Sequence, residues 1–212
     1  MASPIGASPD DDFHLTSSWC GLGEREGLCE EINDPRARAV PVEVAIAAHC
    51  YAFKPEQSAA CQEDLANSHE GAVQGSNRGN FSTQYPGLYY AAMGVLASNN
   101  VEASVISMRA LNVLLFVLLT STVYFLLPTT RRSAFVWSWL ITMVPLGMFV
   151  VASNNPSSWA VLSAGIVWIS LFGFLESRGR ASIGLAILAV VGTILGIGSR
   201  PDAMLFIGIG VM

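Results

Sequence analysis

The chain has 212 residues and a net charge of −5, and only 13% of its residues are charged, where soluble domains run to about 25%. Its bases are few and scattered and its acids crowd one half, which excludes nucleic-acid binding. Residues 1–104 hold fourteen acids and five bases, and residues 105–212 hold two acids and six bases. A water-facing domain followed by an apolar membrane block is the predicted organisation.

No basic stretch leading into an apolar one follows Met1, so no signal peptide is read, and "AMLFIGIGVM" ends inside an apolar run. The chain reads as a segment of a longer protein, with a helix expected before Met1 and several after Met212. The other reading is a short protein whose N-terminal tail crosses the membrane unaided.

The first feature is "SPDDDFH", with Asp10, Asp11, Asp12 and His14 in five residues. Three adjacent carboxylates repel, so at least one is expected to hold its proton more tightly unless a cation is near. Such a group suits a general base acting on a hydroxyl. On a helix, Asp10 and His14 would share a face. The plainer reading is a helix N-terminus, capped by Ser8-Pro9-Asp10-Asp11 with acids in the first turn.

Cys20, Cys29, Cys50 and Cys61 follow, an even number confined to the polar half, which reads as two disulfides in an oxidising compartment. Of three pairings, Cys20–Cys29 with Cys50–Cys61 closes the shortest loops. A zinc site lacks any CxxC spacing to support it. "EVAIAAHCYAFKPEQSAACQEDL" reads as loop to partly helical, and "NSHEGAVQGSNRGNFSTQ" as an exposed loop with an N-glycosylation pattern at Asn80. "YPGLYYAAMGVLAS" is too short to span. Its tyrosines predict an interfacial helix near 86–98, closing an extracytoplasmic loop domain over 1–105.

Residues 106–212 form the transmembrane block, with spans expected at about 106–127, 134–152, 159–175, 183–198 and 203–212, the last truncated. Pro145 is expected to kink the second. Arg131 and Arg132 lie in one short loop and Arg178 and Arg180 in the loop two spans later, which makes that side cytoplasmic. Residues 1–105 then lie outside, in agreement with the cysteines. Arg109 and Arg200 fall at outer ends, against the usual bias, and call for anionic partners: Glu102, a loop aspartate or a lipid phosphate for Arg109, and Asp202 for Arg200. Asn154 and Asn155 line the same side or cap the helix starting at Pro156, and the cap is the simpler reading.

"SPDDDFH" resembles the "P-D-E-x-x-H" signature that follows the first membrane helix in a family of bacterial membrane proteins, the domain of unknown function 2142. That family is similar in turn to the GT-C superfamily of membrane glycosyltransferases. "YPGLYY" resembles their "P-P-L-Y-Y" segment, "SMRALNVLL" their "R-x-x-S" helix start, and "SNNPSSWAV" their "N-P" turn. Together these cover essentially the whole chain. The chain departs from the pattern in lacking the first helix, in "P-G-L" for "P-P-L", and in its four cysteines.

The resemblance implies an all-α, polytopic GT-C-like helix bundle with a disulfide-containing outer loop domain. It implies sugar transfer from a polyprenyl-phosphate donor to an envelope glycan or lipid acceptor on the outer face. By the same resemblance Asp10 is the base or acceptor-positioning acid, Asp11 stands where Glu is usual, and His14 completes the motif. Arg109, Arg200, Tyr89 and Asn155 become substrate-binding candidates. The resemblance fixes no cofactor, and a divalent cation at Asp10–Asp12 is a second reading of the acids. The competing class is a non-enzymatic scaffold or transporter component. Against a transporter, residues 111–127, 134–153 and 159–175 carry no Asp, Glu, His, Lys or Arg.

Overall fold

A computed structural model describes residues 3–68 and 71–209. His69 and Glu70 of the expected polar loop, and the end of the fifth expected span at 210–212, lie outside the described residues. The chain divides into two units, one ending at Arg109 and one beginning at Ala110.

The first unit is built around helix α1 (Asp11–Trp19) and helix α4 (Gly87–Gly94). Asp11 and Asp12 occupy the first turn of α1, where carboxylates favour the positive helix end. Leu15, Trp19, Tyr89, Tyr90 and Met93 form the shared core of these two helices, each at most 2% exposed. Their close approach depends on Gly21, where any side chain would run into the carbonyl of Tyr90. The guanidinium of Arg25 donates to the carbonyls of Trp19 at 2.6 Å and Gly94 at 3.1 Å. One cation thereby serves the last carbonyls of both helices, groups that have no partner within a helix.

Between α1 and α4 in sequence lies a three-stranded antiparallel sheet, where a loop-like to partly helical segment was expected. It comprises β1 (Glu30–Glu31), β2 (Arg38–Pro41) and β3 (Val73–Ser76), in the order β1-β2-β3. The expected exposed loop therefore contributes a strand, with Gln74 opposite Val40 and Val73 opposite Pro41. Helix α2 (Val42–Ile46), a 3-10 turn (Ala47–Cys50) and helix α3 (Cys61–Ser68) connect the strands. Cys20 bonds to Cys29 and Cys50 to Cys61, with Cα separations of 5.2 and 6.1 Å, so among the described residues no cysteine is free. The amide of Asn80 donates to the Tyr85 carbonyl at 2.8 Å and accepts from the Tyr85 N–H at 2.9 Å. This glycosylation-like asparagine thus holds a loop together. Tyr89 and Tyr90, the residues behind the interfacial reading of 86–98, are buried against α1.

Helix α5 (Val101–Leu126) carries the chain from the first unit into the second, which continues with α6 (Thr129–Thr142), α7 (Pro145–Val151), α8 (Ser157–Glu176), α9 (Arg180–Ser199) and α10 (Pro201–Ile209). Among the described residues α5, α8 and α9 are long and apolar enough to cross a membrane, and α6 with α7 makes a fourth if the bent pair counts as one span. Pro145 does more than kink. Its ring excludes the helical region for Val144, which is extended, and α7 restarts at a 99° bend from α6.

Helices α8 and α9 pack closely, because Gly192 leaves no room beside Ile166 and Val167 and Gly196 none beside Ser163. Asn112 near the start of the second unit accepts from Trp159 Nε1–H at 3.0 Å and donates to the Ser153 carbonyl at 2.7 Å. At the other end Arg131 is paired with Glu176, its Nε donating at 2.9 Å. The start of α5 within this unit therefore lies level with the start of α8, and the start of α6 level with the end of α8. The α6–α7 pair joins those two levels.

Candidate functional site

The acidic cluster splits three ways. Asp11 points inward and is 1% exposed. Its carboxylate accepts the Gly6 N–H at 3.1 Å and lies 3.8 Å from Nη2 of Arg109, itself 2% exposed. Gly6 adopts a left-handed φ of +81°, and a Cβ there would stand 2.8 Å from that of Ala48, so only glycine presents this N–H. Burial pushes the Asp11 carboxyl up to about 6, outweighing the charge of Arg109. The raised value expected of this cluster is present, and its cause is desolvation.

Arg109 completes its coordination with the chain itself. Its two terminal nitrogens donate to the carbonyls of Ser3 at 2.5 Å and Pro4 at 3.0 Å. The next carbonyl, of Ile5, accepts from Tyr51 Oη at 2.8 Å and from Gln62 Nε2 at 2.7 Å. Arg109 thus serves to strap residues 3–6 across the first unit. Its anionic partner is Asp11, one of the loop aspartates named as candidates, rather than Glu102.

Asp12 turns the other way. Arg78 grips it with Nε at 2.8 Å and Nη2 at 3.2 Å, and also approaches Asp10 at 3.6 Å. Burial pushes Asp12 up, but the hydrogen bonds and charge of Arg78 outweigh it and hold the carboxyl below its ordinary range. Those hydrogen bonds raise Arg78 in turn. Its guanidinium also lies over the Phe13 ring, 5.9 Å from the centroid. Nothing near the acids in sequence marked Arg78. Strand β3 delivers it from 66 residues away.

Asp10 is left outermost, its side chain 70% exposed, with a left-handed φ of 54°. Aspartate is among the few residues that tolerate this region, at a cost. Because Asp10 leaves the helical path, it does not share a face with His14, contrary to the expectation from their spacing. It caps α1 through its backbone carbonyl, with no side-chain cap bond. Beside Arg78 opens a cleft of about 430 Å³ lined in part by Phe13, Asn77, Phe81 and Gln84.

His14 is 2% exposed and hydrogen-bonded through Nδ1 to the Tyr90 hydroxyl at 2.9 Å. The ring stacks on Tyr90 and meets Phe13 and Tyr85 edge-on. Tyr89 is fully buried, its ring edge-on to that of Tyr90. The three acids diverge, and among the described residues no group of three or more His, Cys, Asp or Glu side chains could hold a metal ion.

In the second unit Arg200 donates to Asp202 at 3.2 Å and to the Ser157 hydroxyl at 2.5 Å. Asn155 accepts the Ser157 N–H at 2.9 Å, the cap expected at this turn. Asn154 is wholly buried with neither amide atom hydrogen-bonded.

The disulfides assign the segment that carries them to the extracytoplasmic side, and the apolar helices make the chain an integral membrane protein. No curated protein and no solved structure matches it. The family model described as "Predicted membrane protein (DUF2142)" matches residues 1–212, and the chain belongs to that family.

Proposed function

We propose that this chain is a membrane glycosyltransferase-like protein that moves a sugar from a polyprenyl-phosphate donor to an envelope glycan or lipid acceptor on the outer face. The observation that carries the reading is Asp10. It is an exposed carboxylate held in a costly backbone conformation, 3.6 Å from the guanidinium of Arg78, which itself lines a cleft of aromatic and amide groups. An acid so placed can accept the acceptor's hydroxyl proton as its oxygen attacks the anomeric carbon and polyprenyl phosphate departs.

In this reading Asp11, Arg109, His14 and Tyr89 have positioning roles. Asp11 and Arg109 fix the start of α1, and His14 with Tyr89 locks α1 onto α4. Arg200 is the candidate contact for donor phosphate, with Asn155 shaping the turn beside it. The α6–α7 pair acts as one broken span, since it joins the two levels of the second unit, and the whole is a polytopic GT-C-like bundle.

The competing scaffold reading draws on the burial of Asp11, His14 and Arg109 in internal contacts. The two separate in one assay. The full-length protein in native membranes is given polyprenyl-phosphate-linked hexoses and pentoses, each radiolabelled in the sugar. Label moving to an envelope fraction with release of polyprenyl phosphate supports the transferase. Binding of envelope material without consumption of any donor supports the scaffold.

A further inference from the structure

The cleft beside Arg78 lies wholly within the first unit. Three pieces of chain line it: the turn after β1 with Asp34 and Arg36, the segment after β3 with Asn77, Arg78 and Phe81, and Phe13 of α1. A second hollow of about 400 Å³ adjoins it, since Asp34, Asn77 and Arg78 line both, and it reaches Gln74 of β3. Each has the volume of a small-molecule site, roughly 300–1,000 Å³. Together they form one groove with Arg78 at its middle.

The walls of this groove are held from within. Asp12 fixes Arg78 through two hydrogen bonds, and the Arg36 N–H donates to the Asp34 carboxylate at 2.9 Å, closing the turn. The Phe81 ring lies against Gly79, where a Cβ would stand 2.5 Å from it, and the Arg38 guanidinium sits 5.5 Å from the ring centroid. Groups ordered in advance lose little freedom when a ligand binds.

The charges around the groove are already matched. Arg78 faces Asp10 and Asp12, Arg36 lies 3.7 Å from Asp34, and Arg38 lies 3.5 Å from Glu31. An anionic ligand would have to displace one of these carboxylates. What the groove offers instead is amides, from Asn77, Gln84 and Gln74, together with the rings of Phe13 and Phe81. A neutral sugar meets that combination: each hydroxyl both donates and accepts, and the C–H face of its ring packs on an aromatic. We propose that the groove binds a neutral oligosaccharide, with one unit beside Arg78, where Asp10 stands 3.6 Å away. The inference rests on the transferase reading in making this oligosaccharide the acceptor, so that the acceptor is a glycan rather than a lipid. Asn77 and Gln84 then select it.

The test titrates the full-length protein in nanodiscs, without any donor, and reads binding by saturation-transfer NMR. The probes are neutral tri- and tetrasaccharides of glucose, mannose, galactose and arabinose, with oligogalacturonates of the same lengths. At least one neutral series is expected to bind, with affinity changing less than about twofold as sodium chloride is raised to about 0.5 M. Asn77→Ala combined with Gln84→Ala, both at exposed positions, is expected to weaken binding about tenfold, the loss of two hydrogen bonds, with both disulfides intact. Neutral binding in a protein that transfers no sugar would support the groove and remove the transferase reading. Binding of none of the neutral series, binding of uronates alone that salt abolishes, or neutral binding untouched by the double substitution would each overturn the proposal. Transfer of labelled sugar to a lipid acceptor by the same sample would then show that the transferase reading survives it.

Discussion

Arg109 and Asp11 lie 3.8 Å apart and both are almost wholly withdrawn from solvent, and the guanidinium also holds the carbonyls of Ser3 and Pro4. This pair fixes where α1 begins, and so where Asp10 and Asp12 project. Buried ion pairs contribute little net stability but penalise the loss of either partner. Their value here is geometric.

The burial of Asp11 makes stability depend on pH. The Asp11 carboxyl ionises near 3.8 in the unfolded chain and at about 6 in the native one. Between those values the native state holds more protons, so stability falls as pH rises from about 4 to about 6 and is level above. The gap corresponds to about 3 kcal/mol. Denaturant melts of the detergent-solubilised protein are expected to show this slope in the wild type and to lose it in Asp11→Asn. A slope of equal size in both would assign it to another group.

Arg109→Lys keeps the charge and loses the planar fork. One ammonium cannot serve two carbonyls and a carboxylate in the guanidinium's geometry. A loss of about 1–3 kcal/mol is expected. Limited proteolysis reads it as faster cleavage within residues 3–9, with cutting elsewhere unchanged.

Both disulfides close short loops, with sequence separations of 9 and 11. Each is expected to contribute about 3 kcal/mol by restricting the unfolded chain. Alkylation without reductant followed by mass spectrometry is expected to find no free thiol, and reduction to lower the melting temperature of the first unit. Four alkylatable cysteines in the native protein would reverse the assignment of compartment.

Gly21→Ala drives a methyl group into the Tyr90 carbonyl. Separation of α1 from α4 is expected to cost about 1–3 kcal/mol and to weaken the near-ultraviolet circular dichroism of the packed aromatic cluster. Gly23→Ala, with no atom within 4 Å of the new Cβ, is the control for sterics, although its φ of +84° adds backbone strain alone.

Composition and apolar run length made the membrane helices legible, and the cysteine count made the disulfides so. Both are local or global properties of the chain. The sheet was not legible, because strands of two to four residues are too short to display alternation and β3 pairs with residues more than 30 positions away. Arg78 was hidden for the same reason, since only that pairing brings it to Asp12. The roles within the triple aspartate were equally out of reach. Residue type cannot say which of three neighbours turns inward, and a single left-handed residue at Asp10 decides it. The burial of Tyr89 and Tyr90 was likewise out of reach, because the apolar face they cover belongs to α1, distant in sequence.

The most direct test compares Asp10→Asn with wild type in the full-length protein, measuring release of polyprenyl phosphate from the labelled donor alongside membrane insertion and disulfide content. Asp10 is exposed, so the substitution is expected to leave insertion and both disulfides intact while reducing transfer at least 100-fold, the range of a lost general base. Transfer at the wild-type rate by a correctly inserted Asp10→Asn protein would contradict the account.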